Sequence, residues 1–457
     1  MSKKRKKSAK QKYSTQKPLQ KRKKYPVFFA FFSKLSEKQR FYAVFFCALV
    51  LFTVTAVRVV LYTARVKTTI VGFLGVPETY VETIRSVITE EISGKIKFKA
   101  IAEKKSLNKD LHKKTDILIT NTGIVTEFQK QYALSLPPQI TARYPQTVVN
   151  SVFFSNPART KRNDSASPAA FCVMPLFTDH FEAAYLASFF NRANILKPEN
   201  LDEFSTFIDK SRPLIAVPVS CAGLDDNTLI AFVSSLVEAL SGRGYYDFVC
   251  RLKETSEFSK MLDITLGLIG TGKKTPLSAE NPATADLKFS EALDILKKWE
   301  KEGMLLRNWY KAPKTVVTDL MNREHTAVIL MLLSGHREQP FPMIKYYDAE
   351  IFPKKPYMTH GIIAPSVSAL CFRNTKTSEA MLERLSSEAG QSLFSQETRL
   401  APAALRGESI DMQADDVRFW AASLPGGPLP DIASCAFASE KSRADFVKNI
   451  RYYLSEK

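Results

Sequence analysis

A chain of 457 residues with 45% hydrophobic and 24% charged residues is too long for one compact core. It is also too mixed for a disordered chain or a polytopic membrane protein. Six cysteines exclude a dense disulfide scaffold, and a formal charge of +19 raises nucleic acid as a partner until that charge is located.

The charge sits at one end. Residues 1–40 hold fifteen Lys and Arg against one acid, Glu37, for +14; residues 41–64 add only Arg58; the remaining 393 residues carry +4. A like-charge block of this kind seeks an anionic surface. The next segment decides which. Residues 41–57 (FYAVFFCALVLFTVTAV) are uncharged, and VVLYTA continues the run past Arg58. As a helix, 41–62 spans about 33 Å against a hydrocarbon core of roughly 30 Å. Arg58 lies near one end, where its side chain snorkels to the interface.

The basic block predicts a cytoplasmic N-terminus and an extracytoplasmic remainder, a single-pass topology at the cell membrane. Tyr62, Thr63 and Ala64 fit a signal-peptidase site poorly. Cys47 lacks the small residues of a lipoprotein site, and apolar sequence continues beyond it. An uncleaved signal anchor is expected, with residues 25–32 (YPVFFAFF), too short to span, at the inner interface.

Beyond the anchor, short β runs alternate with helices. Residues 68–76 (TTIVGFLGV) read as a strand, 77–94 as a helix with Val81, Ile84, Val87, Ile88 and Ile92 on one face, 95–101 as a half-buried strand, and 116–120 (DILIT) as a buried strand ending at Asn121, Thr122 and Gly123. This order implies a parallel α/β sheet with binding loops at the carboxyl ends of its strands. Residues 214–219 predict another strand, followed by an amphipathic helix over 227–240. Residues 287–302 predict a helix with Phe289, Leu293, Leu296 and Trp299 inward. Residues 326–333 predict an apolar strand running into Ser334, Gly335, His336 and Arg337. A strand region over 361–372, a helix over 378–391 and a terminal helix over 446–454 complete the reading, with a loop at 156–168. Residues 267–275 (GLIGTGKKT) imitate a phosphate loop, but Lys274 stands where Ser or Thr would hold magnesium, so a surface loop is expected.

Several motifs occur in a recognisable order. They begin with Pro175, Leu176 and Phe177. Next come Tyr185, then Phe189 to Arg192 (FFNR), then Ile195, Leu196, Lys197 and Pro198, with Leu201, Asp202, Glu203 and Phe204 after them. Further on stand Glu291, Ala292, Leu293, Trp299 and Gly303, followed by residues 320–328 (LMNREHTAV), Gly361 to Ser366 (GIIAPS) and 378–391 (SEAMLERLSSEAGQ). This order resembles the extracytoplasmic solute-binding proteins of ABC importers, the large subgroup that includes the sugar binders, over most of residues 68–406. The resemblance implies a two-lobed periplasmic-binding-protein-like α/β fold with hinge crossings. Lobe 1 would comprise 65–175 plus 366–398 and lobe 2 176–365 plus 399–457. It also implies a small-molecule solute such as a sugar or oligosaccharide, permease subunits as partners, no nucleic acid, no cofactor and no enzymatic activity. Glu324 and His325 replace the family's glycine and lysine before the apolar strand, no aromatic follows that strand, and residues 415–432 match no family segment. The motif departures leave the ligand class open, and the uncleaved anchor, the long basic tail and the missing aromatic leave open an anchored sensor or interaction scaffold on the same fold.

A binding cleft needs apolar rings and a few polar groups at strand carboxyl ends. The candidates are Gly75, Asn121, Thr122, Ser220, Ser334, His336 and Arg337, with Trp309, Tyr310 and Trp420 as stacking platforms. His336 and Arg337 are the favoured pair, with a solvated turn as the alternative. Asn121 and Thr122 equally suit helix capping, and the tryptophans equally suit the core. The five histidines, His112, His180, His325, His336 and His360, show no HExxH or His-x-His spacing, and no GxSxG turn occurs, so neither metal nor nucleophilic catalysis is expected. Five outer cysteines, Cys172, Cys221, Cys250, Cys371 and Cys435, allow at most two disulfides, with buried free thiols as the other reading.

Overall fold

The computed structural model describes residues 36–64, 68–92, 94–151, 153–156, 170–245, 288–355 and 361–455. The basic tail up to residue 35, the apolar stretch 25–32, residues 157–168 of the expected loop, the phosphate-loop imitation, Cys250 and His360 lie outside them. The chain divides into two compact units, residues 1–67 and 68–457.

The described part of the first unit is one helix, α1 (Glu37–Ala64). Its segment Glu37–Ala56 is long and apolar enough to cross a membrane. Large apolar side chains such as Phe41, Phe46, Leu51 and Phe52 are 65–72% exposed. The Thr53 hydroxyl donates to the Leu49 carbonyl at 3.0 Å and that of Thr55 to the Leu51 carbonyl at 2.6 Å, so these polar groups are satisfied within the helix, as a lipid environment requires.

The second unit opens with β1 (Thr69–Leu74), α2 (Glu78–Thr89), the edge strand β2 (Ile96–Ala100), β3 (Ile117–Asn121) and the short α3 (Ile124–Gln129). Val81, Ile84, Val87 and Ile88 are the buried face of α2, as their spacing requires. Next come β4 (Val173–Thr178) and β5 (Phe181–Leu186), both wholly buried and joined by Asp179 and His180 alone. Then follow α4 (Leu201–Ser211), β6 (Val217–Cys221), α5 (Asp226–Ser241), α6 (Phe289–Lys301), β7 (Thr326–Leu332), α7 (Leu333–Arg337) and β8 (Tyr347–Ile351). The remainder comprises β9 (Gly361–Ile363), β10 (Ser366–Cys371), α8 (Lys376–Ser386), α9 (Glu388–Thr398), β11 (Ala401–Pro402), α10 (Met412–Ser423), β12 (Gly427–Leu429), α11 (Ile432–Ala436) and α12 (Glu440–Ser455).

Two sheets organise these elements. The first runs β11-β4-β10-β3-β1-β2, with β1 parallel to both β2 and β3. The second runs β8-β5-β7-β6, with β6 parallel to β7 and the other pairs antiparallel. One hydrophobic core runs continuously under both. The chain passes between the sheets at Asp179 and His180, again around Ala364 and Pro365, and after β11. The first two passages are tied together, because the Asp179 N–H donates to the Pro365 carbonyl at 2.8 Å.

Three local expectations change. The helix expected over 378–391 is two helices, because the Ser387 hydroxyl accepts from the Gly390 N–H at 3.1 Å and starts α9 afresh; a Cβ at Gly390 would stand 2.1 Å from the Arg384 carbonyl oxygen. The helix expected to be amphipathic over 227–240 is buried on every face from Thr228 to Ser241, since neighbours cover all sides of α5. The strand expected over 214–219 begins instead at Val217, leaving Leu214 57% exposed. Of the outer cysteines, Cys172, Cys221, Cys371 and Cys435 are buried, and Cys221 and Cys371 are free thiols.

Candidate ligand cleft

The carboxyl ends of β1 and β3 lie side by side because the strands are parallel and in register, Leu74 opposite Thr120. At Gly75 the backbone enters the left-handed region (φ +66°) and turns away from the sheet. The Asn121 side chain donates to the Gly75 carbonyl at 2.8 Å, clamping the two strand ends. Thr122 turns inward, its N–H donating to the Ser366 carbonyl and its hydroxyl lying 2.8 Å from that of Ser368. Gly123 leaves room for the chain that covers it, since a Cβ there would stand 2.4 Å from the Ser434 carbonyl oxygen.

The opposite wall comes from α5 and the C-terminal segment. Asp225 caps α5 by accepting from the Thr228 N–H at 2.9 Å, which presents Asn227 in the first turn. Arg443 on α12 donates to Asn227 Oδ1 at 3.0 Å and to the Ser434 hydroxyl at 3.1 Å, and Asp431 lies 3.7 Å away. Three partners hold this guanidinium in place while its side chain stays 26% exposed. Between these walls is a cleft of about 430 Å³, lined by Gly75, Asn121, Thr122, Asn227, Ser434, Ser439 and Arg443 as polar groups, with Leu74, Val76, Ile124, Val125 and Phe437 as apolar ones. Glu103 and Glu440 stand at its rim, joined where the Glu440 N–H donates to Glu103 Oε2 at 2.9 Å. The described lining contains neither histidine nor cysteine. It offers hydrogen-bond donors, acceptors and one ring, which is equipment for holding a solute.

Gly75, Asn121 and Thr122 are therefore brought together here. The other candidates lie elsewhere. The Ser220 hydroxyl is fully buried and accepts from that of Thr326 at 3.2 Å. Trp309 is 0% exposed, its ring 5.0 Å from that of Phe232, and Tyr310 is also buried. Ser334, His336 and Arg337 form no solvated turn. They belong to or cap the passage between the sheets, where the Ser334 N–H and hydroxyl donate to Asp179 at 2.9 and 2.7 Å. His336 meets Glu182, and Gln413 donates to the same carboxylate at 3.0 and 3.1 Å. Arg337 pairs with Asp411, while Trp420 lies 5.2 Å from the His180 ring. Asn227, Ser434, Phe437, Ser439 and Arg443 escaped the sequence reading; the only local signal was Ser439 followed by Glu440 ahead of an amphipathic helix, which predicts a helix start.

Burial sets the protonation of this passage. It pushes His180 down to about 4, against the pull of Glu182, and raises Asp179 to about 6 despite the Ser334 hydrogen bonds. Burial also works against the Glu182 carboxylate, but His336, by charge and hydrogen bond, holds it below its ordinary value, with His180 and Arg337 behind. Between pH 6.5 and 4 the unfolded chain protonates His180 and the native chain does not, so this group makes stability fall as pH falls. Between about 4 and 6 the native chain protonates Asp179 first, so that group makes stability rise as pH falls. The two effects oppose each other. Asp179→Asn is expected to unmask a loss on the order of 3 kcal/mol on acidification from pH 6.5 to 4, and His180→Phe to unmask a gain of similar size. Denaturation curves against pH for both variants check this, and equal slopes would refute it.

Comparison with solved structures identifies the class of fold, that of solute-binding proteins. The binding protein MsmE of Bacillus subtilis, in an open conformation, is 12% identical with a TM-score of 0.59, the match covering 85% of this chain and 93% of that one. The bacterial solute receptor AcbH, described as preferring β-D-galactopyranose, is 10% identical with a TM-score of 0.59, covering 84% and 98%. A sugar transporter protein of Bacillus licheniformis, in complex with stachyose, is 10% identical with a TM-score of 0.52, covering 84% and 98%. No protein-family model matches the chain, and no curated protein matches it in sequence. The neighbours are solute-binding receptors, not enzymes, and at these identities the likeness is one of fold.

Proposed function

We propose that this chain is a membrane-anchored, extracytoplasmic solute-binding protein that presents a polyhydroxylated solute, a sugar or oligosaccharide, to the permease of an ABC importer. The observation that carries this reading is the cleft at the carboxyl ends of β1 and β3, walled on its far side by Asn227 and the C-terminal segment. Asn121, Asn227, Ser439 and Arg443 supply hydrogen bonds to hydroxyls, and Phe437 supplies the face against which a sugar's C–H groups stack. Two lobes, one built on each sheet, close on the solute about the passages between the sheets, without covalent chemistry. Residues 1–40 remain in the cytoplasm and 41–64 cross the membrane.

Thermal unfolding of the detergent-solubilised chain over a panel of mono- and oligosaccharides tests this. A binding sugar raises the midpoint, and the stabilisation grows with the logarithm of its free concentration over Kd. Arg443→Ala is expected to weaken binding roughly tenfold or more, the value of one charged hydrogen bond. A panel with no stabilising member would sink the reading.

One observation favours a second reading, an anchored sensor or scaffold without transport. Polar links surround the passages: Asp179 to Ser334, Glu182 to His336 and Gln413, and Lys354 to Glu238. A scaffold keeps these links permanently. Under it no sugar shifts the midpoint and no permease co-purifies.

A further inference from the structure

We infer that the end of the first sheet opposite the cleft is a docking surface for anionic lipid headgroups; the inference rests on the anchored reading above. Thr69 enters β1 at this end, and its N–H donates to the Lys95 carbonyl at 2.8 Å, so the start of β2 lies beside the point where the chain arrives. Parallel pairing sets Ile117 opposite Val71, which brings Lys113 and Lys114, just before β3, to the same end. Arg373 follows β10 and reaches Asp116 at 3.2 Å and the Lys113 carbonyl. A Cβ on Gly94 would lie 3.3 Å from Thr377, which places Lys376 beside Lys95.

Lys95, Lys97, Lys113, Lys114, Arg373 and Lys376 are all exposed. Among the described residues only two of them have an ion-pair partner, Lys113 with Asp110 and Arg373 with Asp116. The nearby Glu90 and Glu91 are both engaged by Arg384, which leaves Glu379 as the unpaired acid. Residues 95–114 carry +6 while the rest of the outer part sums to −2, and four of their eight lysines, Lys95, Lys97, Lys113 and Lys114, stand at this end. Lysine on an edge strand commonly blocks sheet-to-sheet pairing, which accounts for Lys97. It does not account for Lys113, Lys114, Arg373 or Lys376, none of which is on β2. The occupant follows from the tether. Ala64 ends α1 and Thr69 begins β1, so the connection reaches at most about 18 Å, and it contains two further cations, Arg65 and Lys67. A chain held this close to a bilayer keeps its entry end within reach of the headgroups, where basic residues are drawn to anionic lipid.

The test uses the full chain in lipid nanodiscs of phosphatidylcholine alone or containing phosphatidylglycerol, with amine labelling of lysines read by mass spectrometry. Labelling of Lys95, Lys97, Lys113 and Lys114 is expected to fall about fivefold in the anionic discs, the factor one basic residue contributes at such a surface. The protection is expected to vanish in about 1 M salt, and Lys298 and Lys301 on α6 serve as unaffected controls. In Lys95→Glu/Lys97→Glu, the protection of Lys113 and Lys114 is expected to be lost. Equal labelling in both disc types overturns the inference and leaves the anchor standing. Protection in intact cells but in neither disc assigns the surface to another polyanion and also overturns it. A chain that fails to insert into either disc overturns the anchor and the inference together.

Discussion

Trp309→Ala is expected to lower stability by about 3–5 kcal/mol while leaving sugar affinity unchanged. The indole is fully buried against Phe232, and Gly223 packs so closely on it that a Cβ there would stand 2.9 Å from Trp309 Cε3. Removing the ring opens a cavity that the rigid neighbours, Gly223 and the capped start of α5, fill poorly. Trp309→Phe is expected to cost far less, because it keeps a ring and removes an indole N–H that has no acceptor. Equilibrium denaturation beside a sugar titration separates the outcomes. A large affinity loss with little change in stability would make Trp309 a stacking platform after all.

The second large effect concerns the buried pair of Lys354 and Glu238. Their side chains are 7% and 1% exposed; the ammonium group meets both Glu238 and the Gly361 carbonyl, and the Gly361 N–H donates to Glu238 at 3.2 Å. The pair thus pins the start of β9 to the last turn of α5, at the approach to the second passage between the sheets. Lys354→Met removes the ammonium group paired with a buried carboxylate and is expected to cost about 3–5 kcal/mol. Lys354→Met/Glu238→Leu is expected to recover most of that loss, because no buried charge remains. A double variant as unstable as the single one would show that the network around Gly361, rather than charge, sets the cost.

The buried links also explain why the sequence reading placed the site only in part. Asn121 and Thr122 follow a buried strand of the first parallel unit, and such positions are legible because strand ends in a parallel sheet converge by rule. Ser334, His336 and Arg337 also follow a buried strand. That strand, however, is central in the second sheet, and its end meets the passage at Asp179 and the helix α10, so the polar groups found protein partners in place of a solute. No one-dimensional pattern records whether a strand end opens on a cleft or on another segment of the same chain. Arg443 lies 216 residues beyond Asn227, so its part in the wall is a long-range fact.

What the sequence determined by itself was whatever depends on near neighbours along the chain. That includes the division of charge between a basic tail and a nearly neutral outer part, the apolar helix, the strand–helix alternation, and the order of motifs that resembles the solute-binding fold. Tertiary structure alone decided which polar groups face the cleft, which are consumed in the interior, and that the lysines after α2 gather at the end where the chain enters. The physical reason is that burial and pairing are properties of packed surfaces. Residues far apart in sequence compose those surfaces, and local periodicity carries no record of them.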